Sequence, residues 1–415
     1  MNDIRKEVCS YHNLYKATAK SKKNVGWKDS VARFYNHSLL NVYKLKKELD
    51  EDTYKISPYS IFEIHEPKRR IVSSTKFKDR VFQKSLCDNY LYKEITRHFI
   101  ESNCACQLGK GTDKARNCLF KMMIDFYKEY GVNGYALKLD IHDYFGSTDH
   151  EIAIREISKY IRDDWARQKV VDIINSFEGD KGIGLGSQIS QLIQLALLNG
   201  LDHTVTKKYK IKYYVRYMDD IILICDDKEY LRKVQRKIYF ILKDLKLELN
   251  TKKTQIIKIT QPIHFLGFSY LLHENGRVTR KLLPTNVKRR RRKLRKQIKK
   301  IPLHDFEESY KCWRAFVTKG DSRGVILKMD KYKESLIMDA KLIELELALG
   351  KEKAETEFAK DKEERCLKIN EAVCKEFSLS TQIAIIRKGL ASMGCAEPDF
   401  VAFNTRVEEI KKEIE

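Results

Sequence analysis

The sequence has no apolar run approaching the roughly 20 residues that span a bilayer, and its start, Met1-Asn2-Asp3-Ile4-Arg5-Lys6, lacks the apolar core of a signal peptide. Its ten cysteines show no paired spacing, which argues against a disulfide framework and against a finger-like zinc module. Cys104-Ala105-Cys106, near His98, has no second pair and reads as packing thiols. These absences point to a reducing cytoplasm and no membrane. Acidic charge is also in short supply. Against 81 Lys and Arg stand 58 Asp and Glu, a formal net charge of +23, far above the magnitude of about 8 that serves a small domain for solubility. A polyanionic partner is expected. Residues 342–415 hold 12 Lys and Arg against 16 Asp and Glu, a net of −4 that leaves +27 for residues 1–341. The binding function therefore belongs to the first four-fifths of the chain.

What is present begins with Tyr213-Tyr214-Val215-Arg216-Tyr217-Met218-Asp219-Asp220-Ile221-Ile222-Leu223-Ile224. Two adjacent carboxylates sit between two runs of β-branched, aromatic and aliphatic residues, the pattern of a hairpin with buried strands and an acidic tip. Neighbouring carboxylates held against a core repel each other and lose solvation, so such a tip is costly unless a cation neutralises it. Hard oxygen ligands on a turn suit Mg²⁺. A second acidic site lies in Tyr135-Ala136-Leu137-Lys138-Leu139-Asp140. Its alternation reads as a strand, and Asp140 falls at the strand end. Phosphoryl transfer by two metals about 4 Å apart needs carboxylates from more than one strand, and Asp140, 79 residues before Asp219, supplies the third. Asp143, three positions on, reads instead as a cap of the following turn.

The remaining segments have a consistent order. Residues 1–60 read as helices, with one apolar stripe through Trp27, Val31, Phe34, Tyr35, Leu39, Leu40 and Tyr43. Tyr59 to His65 alternates like a strand, Glu66-Pro67-Lys68-Arg69-Arg70 makes a basic turn, and Ile71-Val72 resumes. Asp79 to Phe99 is helical. Gly109-Lys110-Gly111-Thr112-Asp113-Lys114 lacks the Gly spacing and the Gly-Lys-Ser/Thr ending of a Walker loop, yet can approach a sugar-phosphate backbone. Lys181-Gly182-Ile183-Gly184-Leu185-Gly186-Ser187-Gln188-Ile189-Ser190-Gln191 is a glycine-rich entry to an apolar helix, able to lie flat against a nucleotide and its template base. A helix over Tyr230 to Leu247 follows, then Lys252-Lys253-Thr254, a strand over Gln255 to Ile259, and a hairpin over His264 to Tyr270. Residues 281–300 hold eleven Lys and Arg and no acid, an expected basic helix along a duplex. The acidic tail from Leu342 reads as helical, including Ala372 to Ile386, with neither a nuclease constellation nor zinc spacing.

This order resembles that of reverse transcriptases: basic hairpin, strand-end Asp, glycine-rich loop and helix, Tyr-Met-Asp-Asp hairpin, Lys-Thr, Phe-Leu-Gly hairpin. The likeness covers roughly residues 55–330 and is greatest to the enzymes of diversity-generating retroelements. Ser190-Gln191 stands where retroviral and group II intron enzymes have Ser-Pro. Cys104-Ala105-Cys106 with Gly109-Lys110-Gly111-Thr112, the Leu198-Asn199-Gly200-Leu201-Asp202-His203 segment and the Arg-rich run also resemble that group. The resemblance implies an α+β right-hand polymerase, with a fingers and palm antiparallel sheet with helices, a helical thumb and a C-terminal helical extension. The expected divisions are an N-terminal helical region 1–55, fingers 56–135, palm 136–275 with fingers helices interleaved at 150–205, a basic thumb 276–341 and an extension 342–415.

The resemblance also implies roles. Asp140, Asp219 and Asp220, with the carbonyl of Ile141, would hold two Mg²⁺, and Lys253 would protonate the leaving pyrophosphate. Lys68 and Arg70 would bind the triphosphate, and Phe145 would exclude a 2′-hydroxyl. Gly186, Gln191, Tyr217 and Met218 would complete the nucleotide site. Leu185 stands where accurate enzymes carry Gln, which implies misincorporation opposite template adenine. Lys110, Lys288, Arg289, Arg290, Arg291, Arg292 and Arg295 are the expected nucleic-acid contacts. The implied partners are template RNA, a cDNA or primer strand, dNTPs and a small basic helical accessory protein, in a bacterial or phage setting. A defence-associated or abortive-infection reverse transcriptase shares the same core. An idle RNA-binding scaffold would need the acidic cluster broken, and all three carboxylates are present.

Overall fold

A computed structural model describes residues 3–65, 69–184 and 186–352. Lys68, Leu185 and the tail from residue 353, with the helix expected over Ala372 to Ile386, lie outside the described residues. The chain divides into two compact units, residues 1–280 and 281–415.

The first unit opens with helices α1 (Ile4–Val8), α2 (Tyr11–Lys22), α3 (Asp29–Asn36) and α4 (Ser38–Asp50). Asp3 and Ser10 start α1 and α2 by accepting from the backbone N–H of Lys6 and Asn13. The single stripe expected from Trp27 to Tyr43 is corrected here. The helix breaks at His37, whose backbone (φ −115°, ψ 34°) ends α3 and begins α4, so the periodicity does not carry across. Val31 is buried, whereas Trp27 is 78% exposed and Leu39 63% exposed.

Strands β1 (Ser60–His65) and β2 (Arg69–Ser74) form an antiparallel hairpin with His65 opposite Arg69. Helix α5 (Phe77–Leu86) continues through a π turn at Cys87–Leu91 into α6 (Tyr92–Thr96), and α7 (Thr112–Tyr130) precedes β3 (Tyr135–Leu139). Helices α8 (His150–Ser158) and α9 (Asp164–Asn175) are capped by the carboxylates of Asp149 and Asp163. Helices α10 (Gln188–Leu197) and α11 (Asn199–His203) lead to β4 (Tyr213–Tyr217), β5 (Asp220–Cys225) and α12 (Lys228–Asp244). Strands β6 (Gln255–Lys258), β7 (Ile263–Phe265), β8 (Phe268–Leu272) and β9 (Val278–Leu282) follow.

The central sheet has the order β4-β5-β3-β6, with all neighbours antiparallel. Strand alternation divides its faces. Leu137, Leu139, Ile221 and Leu223 share a core with Leu231, Val234, Ile238 and Leu242 of α12, each burial stabilising by about 1.5–3 kcal/mol. The other face carries Lys138, Ile222 and Asp220, and there the ring of Phe126 in α7 meets Tyr213 edge-on. The acidic turn is thus on the side of the sheet away from α12.

In the second unit, α13 (Pro284–Gln297), α14 (Leu303–Val317) and α15 (Arg323–Glu352) enclose a core of Leu294, Phe306, Tyr310 and Met329. Pro284 sits in the first turn of α13, where its missing N–H costs nothing.

Candidate active site

The strand registers bring the acidic residues to one end of the central sheet. Tyr217 pairs with Asp220, which leaves Met218 and Asp219 as a two-residue turn between β4 and β5. Leu139 pairs with Ile221, so Asp140, one residue further, comes abreast of Asp220 on the neighbouring strand. Like charges facing each other across strands are destabilising. Burial, with Asp140 adding to it, pushes the Asp219 carboxyl above its ordinary value. Burial, with Asp219 and Asp140 adding to it, pushes Asp220 up to about 6 against the pull of Lys138.

Each carboxylate has a distinct environment. Asp140 is buried and accepts from Lys253 Nζ at 2.7 and 2.6 Å and from Asn250 Nδ2 at 3.1 Å. Its carbonyl accepts from the Asn250 N–H at 2.7 Å, which ties the loop before β6 to the strand end. Asp220 Oδ1 is buried and lies 3.5 Å from Lys138 Nζ, with no hydrogen-bond partner among the described residues. Lys138 Nζ also donates to the carbonyl of His264 at 2.6 Å. Among the described residues no group of three or more His, Cys, Asp or Glu is gathered as a metal-holding cluster. The donor set nevertheless fits a hard divalent cation: oxygen ligands only, desolvated and mutually repelling, one of them held only by a loose ion pair to Lys138.

Of the residues expected around a nucleotide, Tyr217 and Met218 belong to the acidic hairpin itself and Arg70 comes near it. The glycine-rich loop is stitched to the segment after Asp140. Ile183 N–H donates to the Phe145 carbonyl at 2.9 Å and Gly182 N–H to the Thr148 carbonyl at 2.8 Å. Phe145 is half-buried, edge-on to Tyr144 at 5.9 Å. Gly184 packs so closely that a Cβ there would overlap the Phe177 ring and come within 2.8 Å of Ser73 in β2, so the loop also touches the basic hairpin. Arg70, exposed on β2, is close enough to favour the charged form of Asp219. Gly186 is exposed with φ 120°, and Gln191, on α10, is half-buried. Asp143 does not reach the acidic cluster: its carboxylate lies where a Cβ on Gly146 would sit, and its carbonyl accepts from the Ser147 N–H.

A model of the reverse transcriptase (RNA-dependent DNA polymerase) family matches residues 64–270, a span that contains Arg70, Asp140, Phe145, Asp219, Asp220 and Lys253. Residues 64–270 are a reverse transcriptase domain. The fold is accordingly the mixed α and β fold of right-hand polymerases. Among solved structures, the chain is similar to the C-terminally truncated apo telomerase of Candida tropicalis, with 17% identity and a TM-score of 0.42 over 59% of this chain and 60% of that one. It is also similar to the Candida albicans telomerase in complex with a fragment of telomeric RNA, with 13% identity and a TM-score of 0.44 over 89% of this chain and 67% of that one. The chain spans about 60% of the length of the Candida tropicalis structure it matches. No curated protein matches the sequence.

Two of the cations expected to contact nucleic acid turn inward. Lys110 of the reverse transcriptase domain turns inward, its ammonium donating to the carbonyls of Glu101 at 3.0 Å and Asn103 at 3.1 Å, because the Gly109–Gly111 turn folds it over that loop. In the second unit, Arg290 is buried, hydrogen-bonded to Ser309 Oγ and 6.0 Å from the Trp313 ring, because it lies on the apolar stripe with Leu294. Lys288, Arg289, Arg291, Arg292 and Arg295 are exposed on the rest of α13, with Arg291 over the Tyr332 ring at 4.6 Å. Sequence reasoning missed the partnership of Arg216 with Asp202, both fully buried. Its signal was a lone cation inside a run of buried strand residues.

Proposed function

We propose that this chain copies an RNA template into cDNA with dNTPs. The observation that carries the reading is the convergence of Asp140, Asp219 and Asp220 at one sheet end, within a reverse transcriptase domain. Asp140, Asp219 and Asp220, with the Ile141 carbonyl, would hold two Mg²⁺. Such ions supply activation of the primer 3′-hydroxyl and charge stabilisation on the leaving pyrophosphate. Lys253, already on the Asp140 carboxylate, would give its proton to the departing pyrophosphate. Lys68 and Arg70 of the basic hairpin would clamp the triphosphate. Phe145, fixed by the Ile183 N–H on its carbonyl, would pack beneath the sugar and reject ribonucleotides. The exposed cations of α13 would follow the duplex backbone without reading sequence.

The finer reading is a diversity-generating retroelement enzyme, error-prone at template adenines, working with a small basic accessory protein. It is supported by Leu185 in place of Gln and by Ser190-Gln191 in place of Ser-Pro. An aliphatic side chain cannot brace the nucleotide by hydrogen bonding, so discrimination between transition states weakens. Sequencing cDNA made from a defined RNA tests this. Errors concentrated at adenines, and reduced by Leu185→Gln, are expected; equal errors at all four template bases would remove the reading and favour a defence-type enzyme.

A further inference from the structure

Resting on the polymerase reading, we propose that Arg216, anchored by Asp202, is the positioning residue that fixes the Met218-Asp219 turn and so the geometry of the acidic site. Arg216 and Asp202 are both 0% exposed and form a two-pronged ion pair, Nε to Oδ1 at 2.7 Å and Nη2 to Oδ2 at 2.6 Å. Tyr214 Oη donates to the same Oδ1 at 2.6 Å, and Arg216 Nη2 also donates to the Leu195 carbonyl at 3.1 Å. The guanidinium is thus anchored to α10 and α11 before it reaches the turn. Its Nη1 then donates to the carbonyl of Met218 at 3.2 Å.

Met218 needs that bond. Its φ of 55° lies in the left-handed region, which a residue with a side chain occupies only when its surroundings hold it there. A two-residue hairpin turn ordinarily places glycine at such a position. Fixing the Met218 carbonyl fixes the peptide that joins Met218 to Asp219, and with it the direction in which Asp219 leaves the strand. The edge of β4 is held as well: Arg216 N–H donates to the Ser102 carbonyl at 3.0 Å, and the Arg216 carbonyl accepts from Cys104 N–H at 2.9 Å.

A guanidinium also reaches the Leu266-Gly267 turn between β7 and β8, where both residues are left-handed. Leu266, φ 44°, lies between β7 and β8, and its carbonyl accepts from Nε of the buried Arg116 at 3.2 Å. Arg116 is itself tied to Asp113 at 2.8 Å. Both turns therefore combine a strained residue with a guanidinium that a carboxylate holds in place.

Breaking a buried ion pair on one side alone can unfold the chain, so the test replaces the whole cluster. In the full-length protein, Asp202→Leu, Arg216→Met and Tyr214→Phe together leave apolar groups of similar volume and no orphaned charge. We expect cooperative unfolding to persist, kcat for primer extension to fall about a hundredfold with a much smaller change in KM for dNTP, and Mn²⁺ binding measured by calorimetry to weaken. Adding Met218→Gly, which adopts a positive φ unaided, should restore about tenfold of the lost rate, a rescue that a merely structural role would not give. Arg216→Lys, which keeps the charge but not the fork, should show the same pattern in milder form and serves if the triple variant does not fold. A folded variant with wild-type kcat and Mn²⁺ affinity would overturn the proposal, as would a loss of rate that Met218→Gly leaves untouched. Failure of the wild type itself to extend a primer would instead count against the polymerase reading, while the Mn²⁺ measurement would still report on the turn.

Discussion

Replacing Asp220 by Asn should stabilise the protein in the absence of divalent cations while removing its activity. Asp220 has an ordinary value of 3.8 and is pushed up to about 6, first by burial and then by Asp219 and Asp140, with Lys138 opposing. Ionising it in the folded state therefore costs about 3 kcal/mol more than in the unfolded chain. Its side chain is 22% exposed, which lets solvent relieve part of that, and on the order of 2 kcal/mol remains. The sign follows from the raised folded value. The contribution is fully present below about pH 4, where the carboxyl is protonated in both states, and is lost as pH rises through about 6. Asn carries no charge at any pH, so the variant and the wild type should match near pH 4, diverge up to pH 6, and stay separated by roughly 4 °C in melting temperature above it. Lys138 keeps its hydrogen bond to the His264 carbonyl, which limits the cost of losing its ion-pair partner. Thermal unfolding in EDTA across that pH range is the assay. A variant equal to or less stable than the wild type at pH 8 would refute the reasoning that the acidic site is held at the expense of stability.

Three further outcomes follow from the same geometry. Gly184→Ala drives a methyl into Phe177 and Ser73; the overpacking should cost about 1–3 kcal/mol in denaturant unfolding and raise KM for dNTP as the loop shifts. Phe145→Ala should admit ribonucleotides, read as rNTP incorporation in single-nucleotide extension, because the ring is gone while the backbone bond from Ile183 N–H to the residue 145 carbonyl keeps the loop in place. Lys253→Met removes the cation on Asp140 and should lower kcat by at least about tenfold, a general-acid effect, while leaving primer-template affinity within about twofold.

Much of the candidate site was legible because its acidic residues fall at strand ends. Asp140, Asp219 and Asp220 could be placed from alternation alone, and the registers of β3 and β5 put them where the pattern said. The hairpin around Leu266 and the basic helix α13 were equally readable, the first from its apolar flanks and the second from Pro284 and the interleaved Val287 and Leu294. The N-terminal stripe failed because periodicity continues across His37 although the backbone does not. The inward turn of Arg290 and Lys110 was not legible, because charge in sequence does not say which cation a fold turns inward. The Asp202–Arg216 pair was invisible for a related reason: two residues 14 apart, one at a helix and one in a strand, meet only once the sheet has formed.

Primer extension on a defined RNA template, with dNTPs and Mg²⁺, tests the central claim most directly. The account predicts full-length cDNA from the wild-type chain and none from Asp219→Asn. Absence of cDNA from a folded wild type, or synthesis undiminished in the variant, would contradict it.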